Sequence, residues 1–201
     1  MNDLSQTPIV GIAGILLAAG AGTRFGGGKL LHLLDGVAIG VCSARNMLAA
    51  GLPVTAVVRP GSDELARLLQ SEGVMVTVCS AAAEGMGVSL AHAVAQTRAA
   101  AGWVVALADM PQIKPQTIRQ IAEAVKQGAL LAAPAYRGER GHPVAFGAQL
   151  LNELLVLGGD EGARALIRKH RAQLQLMTCD DPGTVYDIDS RADLQNWAAG
   201  S

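Results

Sequence analysis

The sequence predicts an α/β fold in which helices cover both faces of a mostly parallel central sheet, giving three layers. Through the first 133 residues, short and almost entirely apolar segments of strand length alternate with segments of helix length. Near-continuous apolar strands are typical of a parallel sheet that is buried on both faces. Half of the 201 residues are hydrophobic and 16% are charged, so the chain can form a sizeable core. Its length suits one such domain.

The alternation sets the expected order of the elements. Strands are predicted at residues 9–18, 54–58, 74–79, 103–108 and 130–133, and helices at residues 37–50, 62–71, 88–100 and 115–127. After Pro134 the pattern is less regular: it predicts a short strand at 144–146, helices at 149–155 and 161–171, a strand at 174–178 and a last helix at 191–198. No repeat or flexible linker interrupts the chain, which predicts a single Rossmann-like α/β/α domain over residues 1–201.

Composition argues against several classes of protein. A net charge of −1 disfavours nucleic-acid binding. The first residues are acidic where a signal peptide is basic, and the apolar run at 9–22 is too short and too rich in glycine to span a bilayer, which takes about 20 residues. Cys42, Cys79 and Cys179 lie far apart, as reduced core cysteines do. We therefore expect a cytoplasmic protein with no membrane or nucleic-acid partner.

The strongest functional signal lies at residues 15–29, where ILLAAGAGTRFGGGK places an apolar strand before a turn with five glycines. Glycine tolerates positive φ and lets successive backbone N–H groups converge on an anion. Arg24 and Lys29 add positive charges that can neutralise phosphate. The pattern predicts a triphosphate-binding loop at the carboxyl end of the first strand, where parallel sheets bind ligands.

Two better-known phosphate-binding loops do not fit this segment. A P-loop requires a hydroxyl residue after its lysine, and Leu30 stands there instead. A dinucleotide-binding loop requires G-x-G-x-x-G, and its third glycine position is occupied by Phe25. The remaining alternative is a glycine-rich turn that binds no ligand, and the two cations in the turn disfavour it.

Carboxylates occur in two other segments where a metal could bind. Asp109 directly follows the apolar strand at 103–108. Magnesium prefers carboxylate and phosphate oxygens and usually takes one or two protein ligands, so Asp109 is the first candidate ligand. The alternative role for Asp109 is an N-cap of the next helix. Asp187 and Asp189 alternate along an extended segment, so they share a face and one of them would complete the metal site. The alternative there is helix capping by Asp189 or Ser190.

Two further segments are less specific. Residues 84–90 place glycines and the hydroxyl of Ser89 at the start of a helix, where exposed groups could contact the edge of a base. An ordinary helix start would look similar. Arg140, Gly141 and His142 form a cationic loop that suits an anionic acceptor, and a solvated surface turn is an equally favoured alternative.

Taken in order, the motifs resemble those of the molybdenum cofactor cytidylyltransferases. They are LAAGxGxRxG with a later lysine at residues 17–29, EGMxxSL at 84–90, ADMP at 108–111, GHPV at 141–144, GDEGAR at 159–164 and DID at 187–189. The glycine loop ends in GGGKL, which favours cytidine over the GGxDK ending typical of guanylyl-transferring relatives. One departure is Ser190-Arg191, which stands where the family usually has threonine-proline.

This resemblance implies a nucleotidyltransferase-type fold, with a nucleotide-binding half at about residues 9–133 and a small acceptor-binding lobe at about 134–201. It implies transfer of CMP from CTP to the phosphate of molybdopterin carrying molybdenum, with Mg²⁺ or Mn²⁺ as cofactor and an apo molybdenum hydroxylase as recipient of the product. The expected site residues are, by role, the catalytic Arg24, Lys29 and Asp109; the nucleotide-binding Leu17, Ala18, Ala19, Gly20, Gly22, Arg24, Lys29, Glu84, Gly85 and Ser89; the acceptor-binding Arg140, Gly141 and His142; and the metal-binding Asp109, Asp187 and Asp189.

Three alternatives stay open at this point. The closest keeps the chemistry and changes the base, or replaces the acceptor by a sugar or polyol phosphate. A non-catalytic carrier of the molybdenum cofactor and a dinucleotide oxidoreductase belong to other classes of protein. The spacing of the glycines disfavours the oxidoreductase.

Overall fold

An eight-stranded sheet forms the centre of the structure, a computed structural model that describes residues 8–20, 22, 25–190 and 193–194. The strands are β1 (Ile12–Leu17), β2 (Leu33–Leu34), β3 (Val37–Ala38), β4 (Val54–Val58), β5 (Met75–Val78), β6 (Gly102–Leu107), β7 (Leu131–Tyr136), β8 (Glu139–Arg140), β9 (Val144–Gly147) and β10 (Leu174–Thr178). The sheet order is β5-β4-β1-β6-β9-β7-β10, with β8 paired to β7. Strand β9 runs antiparallel to both of its neighbours, and β2 and β3 form a separate antiparallel pair.

Helices cover both faces of the sheet. They are α1 (Ile39–Ala49), α2 (Asp63–Ser71), α3 (Met86–Gln96), α4 (Pro115–Lys126), α5 (Leu151–Leu155) and α6 (Arg164–Lys169). Helices α1, α2 and α4 pack on one face, and α3, α5 and α6 on the other. Because side chains alternate along a strand, Ile12 and Leu16 of β1 join the first layer while Ile15 joins the second. The expected three-layer α/β/α architecture is confirmed.

The register of the two central strands positions the candidate site. Strands β1 and β6 are parallel, with Leu17 opposite Leu107 at their carboxyl ends. The glycine loop begins directly after Leu17, and Asp109 stands two residues beyond Leu107. The loop and the carboxylate therefore emerge side by side from the same edge of the sheet.

Each of the seven predicted strands is present: β4 and β10 have the predicted bounds, and the other strands differ from prediction by at most about three residues at either end. The irregular region after Pro134 is explained by β9, which returns through a short turn and inserts between β6 and β7. The pair β2 and β3 was not predicted, and it delays the start of α1 to Ile39. Of the last predicted helix only residues 193–194 are described, and they are helical. Across the described parts of the chain, every helix is too short or too polar to cross a membrane.

Candidate functional site

A cavity of about 870 Å³ opens at the carboxyl ends of β1, β4 and β6. Nine of the predicted site residues line it: Leu17, Ala18, Ala19, Gly20, Gly22, Lys29, Gly85, Ser89 and Asp109. Arg24, predicted to bind phosphate, lies outside the described residues and stays a prediction. Glu84, Arg140, Gly141, His142, Asp187 and Asp189 are not among the residues that line it.

The glycine loop turns back on itself before it reaches Lys29. Gly22, Gly26, Gly27 and Gly28 all have positive φ, which side chains other than glycine adopt at a cost. The amides of Phe25 and Gly27 both donate to the Gly22 carbonyl, so the turn closes tightly. The glycines therefore serve the shape of the loop that carries the lysine.

Lys29 lies between two of the predicted carboxylates. Its Nζ is 2.7 Å from Asp109 Oδ2 and 3.0 Å from Asp189 Oδ1, and its side chain is only 11% exposed. Burial lowers the pKa of Lys29, but the hydrogen bonds and charges of Asp109 and Asp189 outweigh it, and the pKa is raised. The ammonium is therefore charged at neutral pH and links the glycine loop to both acidic segments.

Asp109 does not cap the following helix. Helix α4 begins at Pro115 with Lys114 as its N-cap, so the interpretation of Asp109 as a helix cap is wrong. Its Oδ1 is buried and has no hydrogen-bond partner among the described residues. A buried carboxylate oxygen that lacks a partner costs free energy unless a ligand or water contacts it.

The segment at 187–189 lies next to Asp109 and is followed by the cap that the sequence offered as an alternative, while metal binding by its aspartates stays a prediction. Ile188 is fully buried and its amide donates to the Asp109 carbonyl at 2.9 Å, which places the flanking aspartates on the site's side. Asp193 Oδ2 accepts from the Ser190 amide, and Ser190 Oγ accepts from the Asp193 amide, a reciprocal cap. Burial, Asp189 and Asp109 raise the pKa of Asp187.

The residues present fit a hard divalent cation. No group of three or more His, Cys, Asp or Glu side chains lies close enough to hold a metal within residues 8–20, 22, 25–190 and 193–194. Two carboxylates, Asp109 and Asp189, nevertheless converge on one cation, the Lys29 ammonium, and one oxygen of Asp109 has no partner from any residue that the structure describes. Magnesium typically binds one or two carboxylates and takes its other ligands from water and substrate phosphates.

The predicted acceptor residues lie beside the carboxylates in a buried, positively charged setting. An added Cβ at Gly141 would overlap the Thr184 carbonyl, and the His142 amide donates to that carbonyl at 2.8 Å. Arg140 Nη1 and His142 Nδ1 are buried without partners among the described residues. Burial lowers the pKa of His142 to about 4, and the charges of Arg140 and Arg164 act in the same direction. This setting is not that of a solvated surface turn.

Residues 84–90 have a packing role that the sequence did not reveal. Gly85 caps α3, and an added Cβ there would overlap the backbone of Gly159. Gly87 lies equally close to Gly158, and its amide donates to the Gly159 carbonyl at 2.9 Å. The glycines thus let the loop at 158–160 cross the start of α3. Glu84 is exposed and does not line the cavity.

Several lining residues were missed by the sequence reasoning. Arg59 follows β4 directly, and Ser80 lies two residues beyond β5. Their positions at the carboxyl ends of parallel strands were an available signal. Asp160 lines the cavity from the loop at 158–160, and the pKa of Arg140 is lowered by burial and also by the nearby charge of Arg164. Both belong to the GDEGAR motif, whose placement depends on tertiary packing.

Comparisons with known proteins agree with this geometry. A family described as the MobA-like NTP transferase domain matches residues 14–174. The nicotine blue oxidoreductase of Paenarthrobacter nicotinovorans is 28% identical over 197 residues, covering 93% of this chain and 96% of the relative. The purine catabolism protein PucB of Bacillus subtilis (strain 168) is 28% identical over 191 residues, covering 89% of this chain and 92% of the relative.

A solved structure has closely similar architecture. The Rv0371c protein of Mycobacterium tuberculosis H37Rv superposes with a TM-score of 0.82 at 26% identity, covering 96% of this chain and 98% of that one. The complex of Rv0371c with manganese has the same fold, with a TM-score of 0.81 at 24% identity, covering 96% and 100% of the two chains.

Proposed function

The chain belongs to the MobA-like NTP transferase domain family, and we propose that it transfers CMP from CTP to the phosphate of molybdenum-carrying molybdopterin. The products are the molybdopterin cytosine dinucleotide cofactor and pyrophosphate. The cytidine assignment rests on the GGGKL ending of the glycine loop, and the acceptor assignment on the motifs at 141–144 and 159–164.

One observation carries the proposal. Lys29 Nζ lies 2.7 Å from Asp109 and 3.0 Å from Asp189, at the end of a glycine-rich loop that lines a cavity large enough for a nucleotide. A cation, a carboxylate pair and a glycine loop at one edge of a sheet are the groups that nucleotidyl transfer requires.

The reaction needs positioning and charge neutralisation more than proton transfer. The acceptor phosphate is already anionic at neutral pH, so one of its oxygens attacks the α-phosphorus of CTP without a general base. A new phosphorus–oxygen bond forms while the bond to the α,β-bridging oxygen breaks, and pyrophosphate leaves with the electron pair. Lys29, with Arg24 as predicted, would contact the departing phosphates and stabilise their charge.

A divalent cation would be held by Asp109 together with Asp189 or Asp187. When bound, Mg²⁺ or Mn²⁺ supplies charge neutralisation at the phosphates of CTP. The manganese complex of Rv0371c supports a divalent-cation site in a protein of this architecture.

The acceptor phosphate would bind at Arg140, His142 and Arg164. Two arginines whose charges disfavour one another are best compensated by an anion between them, and one buried N–H group of Arg140 has no partner in the described part of the chain. His142 stays neutral at pH 7, since its pKa is about 4, so it adds a hydrogen bond without a further charge.

The test measures pyrophosphate release with CTP, GTP, ATP and UTP in the presence of molybdenum-loaded molybdopterin and Mg²⁺. We expect release with CTP, abolished in Asp109→Asn and retained in the control Asp180→Asn, which changes an exposed aspartate. Preference for another base would refute the cytidine assignment. Full turnover by Asp109→Asn would refute the assignment of the site.

A second candidate function is favoured by the name of one relative. The relative from Paenarthrobacter nicotinovorans is named an oxidoreductase and aligns with 93% of this chain. If the chain shared that activity, a reduced nicotinamide dinucleotide would raise its melting temperature and would be oxidised in the presence of an organic acceptor. We expect neither effect, because the glycine spacing does not match a dinucleotide-binding loop.

A further inference from the structure

The segment of residues 181–189, here called the strap, carries two of the three candidate metal ligands, Asp187 and Asp189. It contains only one short turn, the 3-10 helix Pro182–Val185, so no sheet hydrogen bonds fix its position. Two backbone bonds tie it to the site: Ile188 N to the Asp109 carbonyl at 2.9 Å, and His142 N to the Thr184 carbonyl at 2.8 Å. The strap therefore touches both the metal-binding and the acceptor-binding residues.

The first residue of the strap is a buried carboxylate with three donors. Asp181 is 2% exposed. Its Oδ2 accepts from Thr117 Oγ1 at 2.6 Å and from the Lys114 amide at 2.9 Å, and its Oδ1 accepts from the Gly183 amide at 3.2 Å. Two of these donors belong to the start of α4. Asp181 thus fastens the strap to the element that follows Asp109.

The contact continues along the loop between Asp109 and α4. An added Cβ at Gly183 would overlap the backbone of Gln112, so the strap and this loop lie against each other without an intervening side chain. The loop starts at Asp109 and ends at Lys114, whose backbone amide donates to the Asp181 carboxylate. A shift of the strap by one residue would therefore require the Asp181 bonds to break.

From this geometry we propose that Asp181 is a positioning residue for the reaction. It sets the register of the strap, so that Asp187 and Asp189 face Asp109 and the Thr184 carbonyl holds His142. Asp181 does not contact substrate in this role. The inference rests on the proposed function, because the residues that Asp181 positions are the metal ligands of that function.

The experiment measures Mn²⁺ binding to the full chain by electron paramagnetic resonance, without nucleotide. We expect Asp181→Asn and Thr117→Val to weaken Mn²⁺ binding about tenfold, as loss of groups that orient metal ligands typically does. Thr117→Ser keeps the hydroxyl and should bind like the wild type, and Asp180→Asn serves as the matched exposed control. A purely structural role would lower the melting temperature and leave the Mn²⁺ dissociation constant unchanged.

The outcomes separate the inference from the proposed function. If the wild type binds no Mn²⁺, or if Asp109→Asn binds Mn²⁺ as well as the wild type does, the proposed cation site itself is contradicted. If the wild type binds Mn²⁺ and Thr117→Val binds it equally well, only the role of Asp181 is overturned. Thr117→Val suits this comparison because it keeps every buried charge. If Asp181→Asn does not fold, Thr117→Val and Thr117→Ser carry the comparison.

Discussion

The contact of Lys29 with two carboxylates leads to a prediction with opposite effects on stability and on metal binding. In Lys29→Met the ammonium is lost and the carboxylates of Asp109 and Asp189 remain, with oxygens less than about 6 Å apart, since each lies within 3.0 Å of the same nitrogen. At an effective dielectric constant of about 20, charges at that separation repel by about 3 kcal/mol before screening.

The net loss of stability is smaller than for a fully buried pair. Breaking a buried ion pair costs about 3–5 kcal/mol, and an exposed pair contributes at most about 1 kcal/mol. Lys29 and Asp109 are 11% and 23% exposed, whereas Asp189 is 46% exposed. We therefore expect a loss of about 2 kcal/mol, which corresponds to a fall of about 4–8 °C in the melting temperature of a domain of this size.

Thermal unfolding with and without Mn²⁺, in the absence of nucleotide, tests this expectation. Mn²⁺ should raise the melting temperature of Lys29→Met more than that of the wild type, because the cation no longer competes with the ammonium for the carboxylates. The matched control is Lys126→Met, whose lysine is 44% exposed and lies 3.8 Å from Glu123. A melting temperature and a Mn²⁺ response equal to those of the wild type would refute the reasoning.

Three further predictions concern the acceptor side. In His142→Gln the free energy of unfolding should depend less on pH than in the wild type. Burial and nearby arginines lower the pKa of His142 to about 4, so the wild type loses up to about 3 kcal/mol of stability as the pH drops from about 6.5 toward 4. Urea unfolding of both proteins at about pH 7 and about pH 4.5 measures the difference. In Gly141→Ala the free energy of unfolding, measured with urea, should fall by about 1–3 kcal/mol, since the added Cβ would overlap the Thr184 carbonyl. Gly158→Ala is the control: it has open space around the added Cβ and should change the free energy of unfolding by less than about 0.5 kcal/mol. Arg164→Gln should raise the KM for the phosphorylated acceptor about tenfold and leave the KM for CTP unchanged in steady-state kinetics; an unchanged acceptor KM would contradict its assignment.

The sheet could be predicted from the sequence because its strands are short, apolar and bounded by turns. The proximity of Lys29 and Asp109 follows in part from the same pattern, since the glycine loop that ends at Lys29 and the segment that carries Asp109 leave the carboxyl ends of two paired parallel strands. Strand β9 could not be placed in the same way. Residues 144–146 indicate a strand, but the insertion of that strand between β6 and β7 depends on pairing with residues far away in the sequence.

The acceptor side depends more strongly on tertiary contacts, and the sequence reasoning recovered less of it. Arg140 and His142 were predicted from their charge, but the sequence left a surface turn equally open, and burial decides against that turn. Arg164 comes near Arg140 after the loop at 158–160 crosses α3, where Gly85 and Gly87 leave room for its backbone. No local pattern encodes that crossing. Ligand binding by the glycines of residues 84–90 stays a prediction, and the structure gives them a packing role.

The electrostatics of the site argue that metal and nucleotide bind together. A metal alone must compete with the Lys29 ammonium for Asp109 and Asp189, and a triphosphate alone meets those carboxylates and Asp187. A metal–nucleotide complex avoids both costs, because the metal can satisfy the carboxylates while the phosphates satisfy Lys29. The affinity of the wild type for CTP should therefore rise with Mg²⁺ concentration. In Lys29→Met the cation site is already accessible, so isothermal titration should show a weaker dependence of CTP affinity on Mg²⁺, and an equal dependence in both proteins would contradict the competition.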